Sequence, residues 1–226
     1  MDGDLIARGR ASTVHDLGGG RLLRRAPGSD AEREASVMRH AASFGVPVPR
    51  VLEANGSDLV MERVDGPTLA AELLARPQQL AELVQVLAGL HALLDEVPPA
   101  PGAPWVGAET GEARLVHLDL HPLNVICSPS GPVLIDWTDA ANGSRAMDRA
   151  STWLVLACHE LPAEVEAIPG AREALVEAFL AAAGRERSRG GLEAAAARQL
   201  AQDLGERAHA RMRALLASEG LAVPAP

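Results

Sequence analysis

The sequence predicts a two-lobed α+β protein, with a strand-rich first third and a helical remainder. In roughly the first 60 residues, short apolar runs alternate with glycine and proline turn signals. After about residue 66, apolar residues recur three and four positions apart, which is the spacing of a helix that buries one face. Segregated strands and helices of this kind predict two lobes with a cleft between them.

Composition narrows the class of protein. The 226 residues are 47% hydrophobic and 23% charged, which supports a buried core and argues against disorder. The net charge of −9 disfavours non-specific binding to nucleic acid or to an anionic membrane, so neither partner is expected. The acidic N-terminus lacks the apolar core of a signal peptide, and no apolar run is long enough to span a bilayer. We therefore interpret the protein as cytoplasmic.

Strands and turns make up most of the first third. Apolar runs at 5–7 and 22–24 flank Gly18-Gly19-Gly20, a run of glycines that favours a turn. Two further runs, at 51–52 and 59–61, lie on either side of an Asn-Gly-Ser turn signal. Their spacing predicts an antiparallel hairpin.

One helix is expected within this strand-rich part. From about Asp30 the apolar residues fall on helical spacing, and the pattern stops near Gly45. The segment that follows, Val-Pro-Val-Pro, is extended, because proline disfavours helix at the residue before it. The polar residues 62–66 then form a short connector. We accordingly divide the chain into an N-terminal lobe (1–61), a hinge (62–66) and a helical C-terminal lobe (67–226).

Helices dominate the C-terminal lobe. Leucine and valine residues at helical spacing predict one strongly amphipathic helix over 80–94. Three further helical stretches are predicted at 148–159, 171–183 and 192–218. Between the helices predicted at 80–94 and 148–159, residues 117–126 lead into a small hairpin. Its second strand is 133–135, and a Ser-Pro-Ser-Gly-Pro turn connects the two strands.

The stretch HLDLHPLNVI, residues 117–126, places polar side chains within an apolar surrounding. Buried polar groups cost free energy unless they are paired, so this stretch indicates either a structural hydrogen-bond network or a reaction. Asp119 and Asn124 lie five residues apart, and Asp136 follows twelve residues after Asn124, at the end of a strand. These hard oxygen ligands suit Mg²⁺, which takes one or two carboxylates and completes its shell with water and phosphate oxygens.

The three residues would have different roles. Asn124 and Asp136 are the candidate metal ligands, whereas Asp119 is the candidate group that orients a hydroxyl and accepts its proton. A pair of hairpin-capping turns is the plain structural alternative. A zinc site at His117, His121 and Asp119 is a weaker alternative, because the two histidines lie on a loop rather than on one helix face. His117 is expected to have a structural role, and His121 either caps the loop or faces the acceptor.

The order H117-L-D119-L-H121-P-L-N124, followed by I135-D136-W137, resembles the catalytic and metal-binding segments of the aminoglycoside phosphotransferase-like kinases. This family is related to choline kinases and to the protein kinases, and it phosphorylates small molecules. The resemblance implies a protein-kinase-like fold with ATP and Mg²⁺ as cofactors. It also implies that Asp148 is an acidic residue that braces the catalytic loop.

The resemblance extends into the N-terminal lobe and implies nucleotide-binding residues there. Residues 9–14 correspond to the loop that covers the phosphates, so Ser12 and Thr13 are candidate phosphate contacts. The strand at 22–24 corresponds to the one that ends in the ATP-binding lysine, and Glu34 to the glutamate that pairs with it. Glu62 and Val64 lie where the family's hinge holds adenine.

Two positions depart from the family pattern. Arg24 stands where the lysine is expected, and an arginine can contact phosphates but is not equivalent to lysine at a tight site. Leu118 stands where many members have glycine. These departures leave open a rival interpretation, a nucleotide-binding but catalytically weak regulatory protein. A protein kinase is the least favoured reading, because 136–148 leaves no room for a long activation segment.

The predicted activity is transfer of the γ-phosphoryl group of ATP to a hydroxyl of a small molecule. The acidic net charge would suit a cationic acceptor, although solubility alone explains such a charge. Fold resemblance defines the chemistry more closely than the substrate.

Overall fold

The computed structural model describes residues 3–9, 12–107, 113–184 and 188–222. Five antiparallel strands form the N-terminal sheet, in the order β1-β2-β3-β5-β4. The predicted glycine turn connects β2 to β3, and the predicted hairpin is β4 and β5. The strands are β1 (Asp4–Arg8), β2 (Thr13–Gly18), β3 (Arg21–Arg25), β4 (Val51–Asn55) and β5 (Asp58–Glu62).

Helix α1 (Ala31–Ser43) packs against β4 and β5 and carries the helical part of the N-terminal lobe. It begins where predicted, because the Asp30 side chain accepts a hydrogen bond from the Arg33 amide and caps the helix. Its inward face is apolar except for Glu34, which is 2% exposed. A charged residue at such a position requires a partner, and the site provides one.

The connector after β5 is held against the C-terminal half of the chain. The Cys127 amide donates to the Pro67 carbonyl at 2.8 Å. At Gly66 (φ 148°), an added Cβ would come within 2.3 Å of the Cys127 carbonyl oxygen, so only glycine allows this close approach. The division at 62–66 stays a prediction, but these contacts bring the connector next to the catalytic loop.

The rest of the chain is mainly helical. Helix α4 is its centre: it packs against α3, α6, α7 and α8, and most of its side chains are buried. The helices are α2 (Leu69–Ala75), α3 (Leu80–Leu94), α4 (Arg145–Cys158), α5 (Ala163–Glu166), α6 (Ala171–Ala182), α7 (Arg189–Leu200) and α8 (Glu206–Ser218). The amphipathic helix predicted at 80–94 is α3, within the same bounds.

One predicted helix is wrong. The stretch 192–218 is two helices, α7 and α8, separated at residues 201–205. Gly205, within the break, has φ 82° and ψ 155°, a backbone conformation that favours glycine, and it is the N-cap residue at which α8 begins. The break lets Leu192 of α7 and Met212 of α8 both reach the buried core, which the alanine-rich periodicity of the stretch does not reveal.

Two small antiparallel sheets support the loop at 117–124. One pairs β6 (Arg114–Val116) with β9 (Ala141–Gly143), and the other pairs β7 (Val125–Ser128) with β8 (Gly131–Leu134). The loop therefore begins at the end of one strand and ends at the start of another. Among the described residues, no helix is both long enough and apolar enough to cross a membrane.

Candidate active site

A buried aspartate holds the loop at 117–124, which follows β6. Asp148, on α4, accepts a hydrogen bond from the Leu118 amide at 2.6 Å, and its second oxygen lies 3.3 Å from His91 Nδ1. Burial raises the pKa of Asp148, but the hydrogen bond and charge of His91 and the Leu118 amide outweigh it and leave the pKa below its usual value. This contact gives Asp148 the position implied by the resemblance.

Leu118 adopts a conformation that favours glycine, with φ 65°. This strain is accommodated by burial, because the Leu118 side chain is only 3% exposed and packs in the core. The leucine that departs from the family pattern therefore has a backbone conformation that glycine adopts readily. Its hydrogen bond to Asp148 holds the strained conformation in place.

His117 is a structural residue in this loop. Its Nε2 donates to the Ile135 carbonyl at 3.2 Å, and its Nδ1 accepts from the Asp119 amide at 3.3 Å. These two bonds require the neutral ring with the proton on Nε2. Burial lowers the pKa of His117, which favours the same neutral form. The ring also meets the buried Trp137 edge-on, with centroids 4.9 Å apart, so the loop is joined to the strand that precedes Asp136.

Asp119 presents its carboxylate at the edge of the loop. Its Oδ1 lies 3.5 Å from His121 Nε2, and its Oδ2 accepts a hydrogen bond from Asn124 Nδ2 at 2.9 Å. Burial raises the pKa of Asp119, yet the hydrogen bond and charge of His121 and the hydrogen bond from Asn124 outweigh it and keep the pKa below its usual range. The side chain is one-third exposed, so an ionised carboxylate remains within reach of a ligand.

Asn124 is oriented by the same carboxylate. Its Nδ2 donates both to the Asp119 side chain and to the Asp119 carbonyl, each at 2.9 Å. No described residue donates a hydrogen bond to its Oδ1. Because the amide nitrogen is engaged, the amide oxygen remains as the ligand atom. The Ile135 amide also donates to the Asn124 carbonyl at 2.9 Å, which brings the residue before Asp136 next to Asn124.

Asp136 follows β8 and has a left-handed backbone, φ 62°. Its Oδ1 accepts from the Thr138 hydroxyl at 2.8 Å and lies 3.4 Å from Arg24 Nη1. The side chain is 44% exposed. Two protein partners therefore orient this carboxylate, and it still faces solvent.

Arg24 lies on β3 and crosses from the sheet to the helical lobe. Its Nη2 forms an ion pair with Glu34 of α1, and its Nη1 donates to Thr138 Oγ1 at 2.7 Å. This residue is 7% exposed. Its Nε is buried and has no hydrogen-bond partner among the described residues. A buried donor without a partner is uncommon and is the kind of group that a ligand oxygen would satisfy.

Glu34 is an ionisable residue whose burial costs free energy. Burial raises its pKa to about 7, the Arg24 charge opposes that rise, and the Asp136 charge adds to it. Pairing with Arg24 and a high pKa are compatible, because the cost of removing a carboxylate from water exceeds the attraction of one neighbour. The pair thus connects the sheet, α1 and the Asp136 loop.

The other two predicted nucleotide contacts in the sheet lie on the β1–β2 connection. The Gly9 amide donates to the Ser12 carbonyl at 2.8 Å, so these two described residues lie close together. Thr13 Oγ1 lies 3.1 Å from His15 Nε2, so its hydroxyl already has a partner. Residues 10 and 11 of this loop lie outside the described residues.

Glu62 and Val64 flank a residue that fixes the connector. Arg63 bonds Asp16 and Asp65, and its amide donates to the Gly20 carbonyl at 2.8 Å. The Glu62 amide donates to the Arg50 carbonyl at 2.9 Å. No described residue accepts a hydrogen bond from the Val64 amide, which leaves this donor for a ligand.

Sequence reasoning missed two features of this site. Thr138 bonds both Arg24 and Asp136, and its position two residues after Asp136 was the signal available. The next residue, Asp139, pairs with Arg198 at 2.6 Å and does not contact Arg24 or Asp136 in this way. The second missed feature is an apolar cavity beside His121, because its walls come from residues far apart in the sequence.

The arrangement fits a metal–nucleotide complex better than a metal alone. Among the described residues, no three acidic, histidine or cysteine side chains form a metal-binding cluster. Mg²⁺ bound with a nucleotide needs only one or two protein ligands, because phosphate oxygens and water complete the shell. The exposed Asp136 carboxylate, the open Asn124 oxygen and the unpaired Arg24 donor match that requirement.

Comparison with known proteins agrees with this geometry. A model of the family described as "Phosphotransferase enzyme family" (APH) matches residues 5–109 and 95–196. No curated protein matches. Among solved structures, a thermostable mutant of aminoglycoside phosphotransferase APH(4)-Ia, in ternary complex with ADP and hygromycin B, has a TM-score of 0.67 at 18% identity, covering 96% of this chain and 94% of that one.

Two further structures share the fold. A choline/ethanolamine kinase family protein from Mesorhizobium loti has a TM-score of 0.58 at 16% identity, covering 92% of this chain and 86% of that one. Amicoumacin kinase, in complex with AMP-PNP, Ca²⁺ and its ligand, has a TM-score of 0.57 at 13% identity, covering 98% and 82%. The predicted protein-kinase-like fold is thereby confirmed. The resemblance is confirmed as well, and the chain belongs to the phosphotransferase enzyme family, whose structural relatives are kinases of small molecules.

Proposed function

We propose that this protein is an ATP-dependent kinase that transfers the γ-phosphoryl group to a hydroxyl of a small molecule. The supporting observation is the hydrogen-bonded unit of Asp119 and Asn124, joined through Ile135 to Asp136. It offers one carboxylate for a hydroxyl proton and two oxygens for a cation, and its Asp136 contacts Arg24. Phosphoryl transfer depends mainly on positioning and charge neutralisation, and these residues supply both.

Each residue has a defined role in the proposal. Asp119 orients the acceptor hydroxyl and takes up its proton, a task for which its lowered pKa keeps it ionised. Asn124 and Asp136 hold Mg²⁺. When bound, this ion neutralises charge on the phosphate oxygens. Arg24, positioned by Glu34 and Thr138, donates to a phosphate oxygen through its unpaired Nε.

The nucleotide would lie between the sheet and the helical lobe. We assign the adenine contact to the connector, where Glu62 and Val64 flank Arg63 and the Val64 amide has no protein acceptor among the described residues. Ser12, which accepts a hydrogen bond from the Gly9 amide, and Thr13, the first residue of β2, would face the phosphates. Ser12 offers its hydroxyl, whereas Thr13 would first have to release His15.

A second candidate is a nucleotide-binding regulatory protein with little catalysis. Arg24 in the place of lysine favours it, because the guanidinium is already divided between Glu34, Asp136 and Thr138. The two candidates share nucleotide binding and differ in transfer to an acceptor.

Asp119→Ala separates the two candidates. We expect the variant to bind Mg²⁺-ATP as the wild type does and to lose about 10²–10⁴-fold in turnover, the usual contribution of a positioned proton acceptor. Transfer is measured with γ-labelled ATP and a panel of amino sugars, choline-like alcohols, nucleosides and sugar alcohols. Nucleotide affinity is measured by calorimetry.

Asp139→Ala is the matched control. It removes a neighbouring carboxylate that pairs with Arg198 rather than with the proposed site, so its turnover should stay near the wild-type value. Wild-type turnover in Asp119→Ala would contradict the proposed role of Asp119. If the wild-type protein binds the nucleotide tightly but transfers phosphate to no acceptor on the panel, the regulatory candidate is favoured.

A further inference from the structure

A cavity of about 440 Å³ opens beside the catalytic loop, within the size range of small-molecule sites. Its walls come from α2, the first residue of α3, the loop residues 121–123, the C-terminal end of α4, α5, α6 and the segment that connects α4 to α5. All but three of its lining residues are apolar, the exceptions being His121, His159 and Glu160. The apolar wall includes Leu73, Leu74, Leu123, Val155, Leu156 and Ile168.

His121 connects this cavity to the reactive group. It lines the cavity, and its Nε2 lies 3.5 Å from Asp119 Oδ1 and 3.2 Å from Asn124 Nδ2. A molecule that fills the cavity therefore ends next to the proposed proton acceptor. The neighbouring Leu123 is 52% exposed, and Ile168, which also lines the cavity, is 54% exposed. Apolar side chains left in water beside a reactive group indicate a ligand that covers them.

The chemistry of the wall excludes two kinds of acceptor. A polycation would need several carboxylates, and among the described lining residues Glu160 is the only acidic one. A quaternary ammonium group would need an aromatic cage, and none of the described lining residues is Phe, Tyr or Trp. The whole chain has no tyrosine, two phenylalanines and three tryptophans. Trp137, Trp153 and Phe179 are buried in the core.

We propose that this cavity binds the body of the acceptor, and that the acceptor is a largely apolar, uncharged alcohol whose hydroxyl lies at His121 and Asp119. This inference rests on the proposed kinase function and names the substrate class of the same site. It competes with the expectation of a cationic acceptor, which net charge alone had suggested. The net negative charge is a property of the whole surface, whereas the cavity wall is neutral apart from Glu160 and any charge on its histidines.

The test uses two alcohols of equal chain length that differ only at the end away from the hydroxyl, which is apolar in one and carries an amino group in the other. Binding of n-octanol and of its ω-amino derivative is measured by calorimetry on the full chain, without nucleotide. We expect n-octanol to bind at least tenfold more tightly than the amino alcohol. The reverse order, or no binding of n-octanol, would overturn the proposal.

Matched substitutions locate the binding. Ile168→Lys places a charge on the exposed part of the cavity wall and should weaken n-octanol binding at least tenfold. Leu93→Lys is the control, since Leu93 is 40% exposed on α3 and does not line the cavity. Equal affinities in the two variants would place the probe elsewhere and overturn the proposal. Glu160→Gln should leave n-octanol affinity unchanged, and a tenfold loss of n-octanol affinity in that variant would overturn the proposal.

Failure of the cavity proposal is distinguishable from failure of the kinase proposal. Transfer from γ-labelled ATP is measured for n-octanol, a neutral terpene alcohol and a disaccharide amino sugar. Phosphorylation of a neutral alcohol, abolished in Ile168→Lys but retained in Leu93→Lys, supports the proposal. Phosphorylation of the amino sugar alone overturns it while the kinase function stands. An absence of nucleotide binding, with n-octanol still bound in the cavity, counts against the kinase function and overturns the assignment of the cavity as an acceptor site.

Discussion

The residues on the two sides of His121 differ in polarity. Toward the sheet, Arg24, Glu34 and Asp136 form a chain of paired charges, with a buried arginine at its centre. Away from the sheet, the cavity wall is almost entirely apolar. Charged phosphates need paired, oriented charges, whereas an apolar body needs only a shaped surface from which water is excluded. Under the proposed function, the nucleotide and the acceptor would be recognised by different physical forces.

The charged side should be the more sensitive to a single substitution. Arg24→Met leaves Glu34 buried without a counter-charge, and breaking a buried pair in this way typically costs about 3–5 kcal/mol. We expect a loss of that size in the free energy of unfolding, measured by urea denaturation. Arg24→Met combined with Glu34→Leu should recover most of it, because apolar residues of similar size replace the pair. A double variant less stable than Arg24→Met would show that Glu34 tolerates isolation.

The catalytic loop between the two sides can be tested at its strained residue. Leu118→Ala removes a buried side chain and should cost about 2–5 kcal/mol. Glycine at the same position should be more stable than alanine by about 1 kcal/mol, since φ 65° is unfavourable for any residue with a Cβ. Elsewhere glycine is normally the less stable of the two. Urea unfolding of both variants measures the difference, and an alanine variant at least as stable as the glycine variant would exclude strain at Leu118.

The stability of the protein should depend on pH through Glu34, which lies on the charged side. Glu34 has an ordinary pKa of 4.5 and a folded pKa of about 7, so the folded chain binds this proton more tightly than the unfolded chain. Its contribution to stability is full below pH 4.5 and is lost as pH rises to about 7. Relative to Glu34→Gln, the wild type should therefore lose stability across that window, as followed by thermal unfolding. Parallel profiles would show that Arg24 offsets the burial of Glu34 completely.

The smallest expected effect is that of salt, which should change the KM for the nucleotide more than the KM for the acceptor. Raising the ionic strength from about 0.05 to about 0.5 M screens exposed charges. The KM for Mg²⁺-ATP should rise a few-fold, because Asp136 is partly exposed, while the KM for a neutral acceptor should stay the same or fall. Steady-state kinetics at both salt concentrations measure this. An acceptor KM that rises with salt as steeply as that for the nucleotide would identify a charged acceptor site.

Much of the site was predictable because its residues are close in sequence or carry distinctive spacing. The segment 117–124 and the following I-D-W stretch contain the loop and the candidate metal ligands. Local patterns also predicted α1, α3 and the β4–β5 hairpin, since their periodicities are regular. The break between α7 and α8 was missed, because alanine-rich segments continue a helical pattern through a turn that only packing against α4 requires.

The sequence by itself determined the family, the α+β division and the order of the chemical groups. Only the tertiary structure decided what surrounds each of them. Arg24, Glu34 and Thr138 meet across more than a hundred residues of chain, and the cavity wall joins side chains from five helices. Burial and pairing are properties of neighbours in space, and they determine pKa values, orphaned donors and ligand polarity. For that reason the resemblance to the family lies in a short motif, whereas the polarity of the cavity, on which the proposed acceptor class rests, is set by the packing of distant helices.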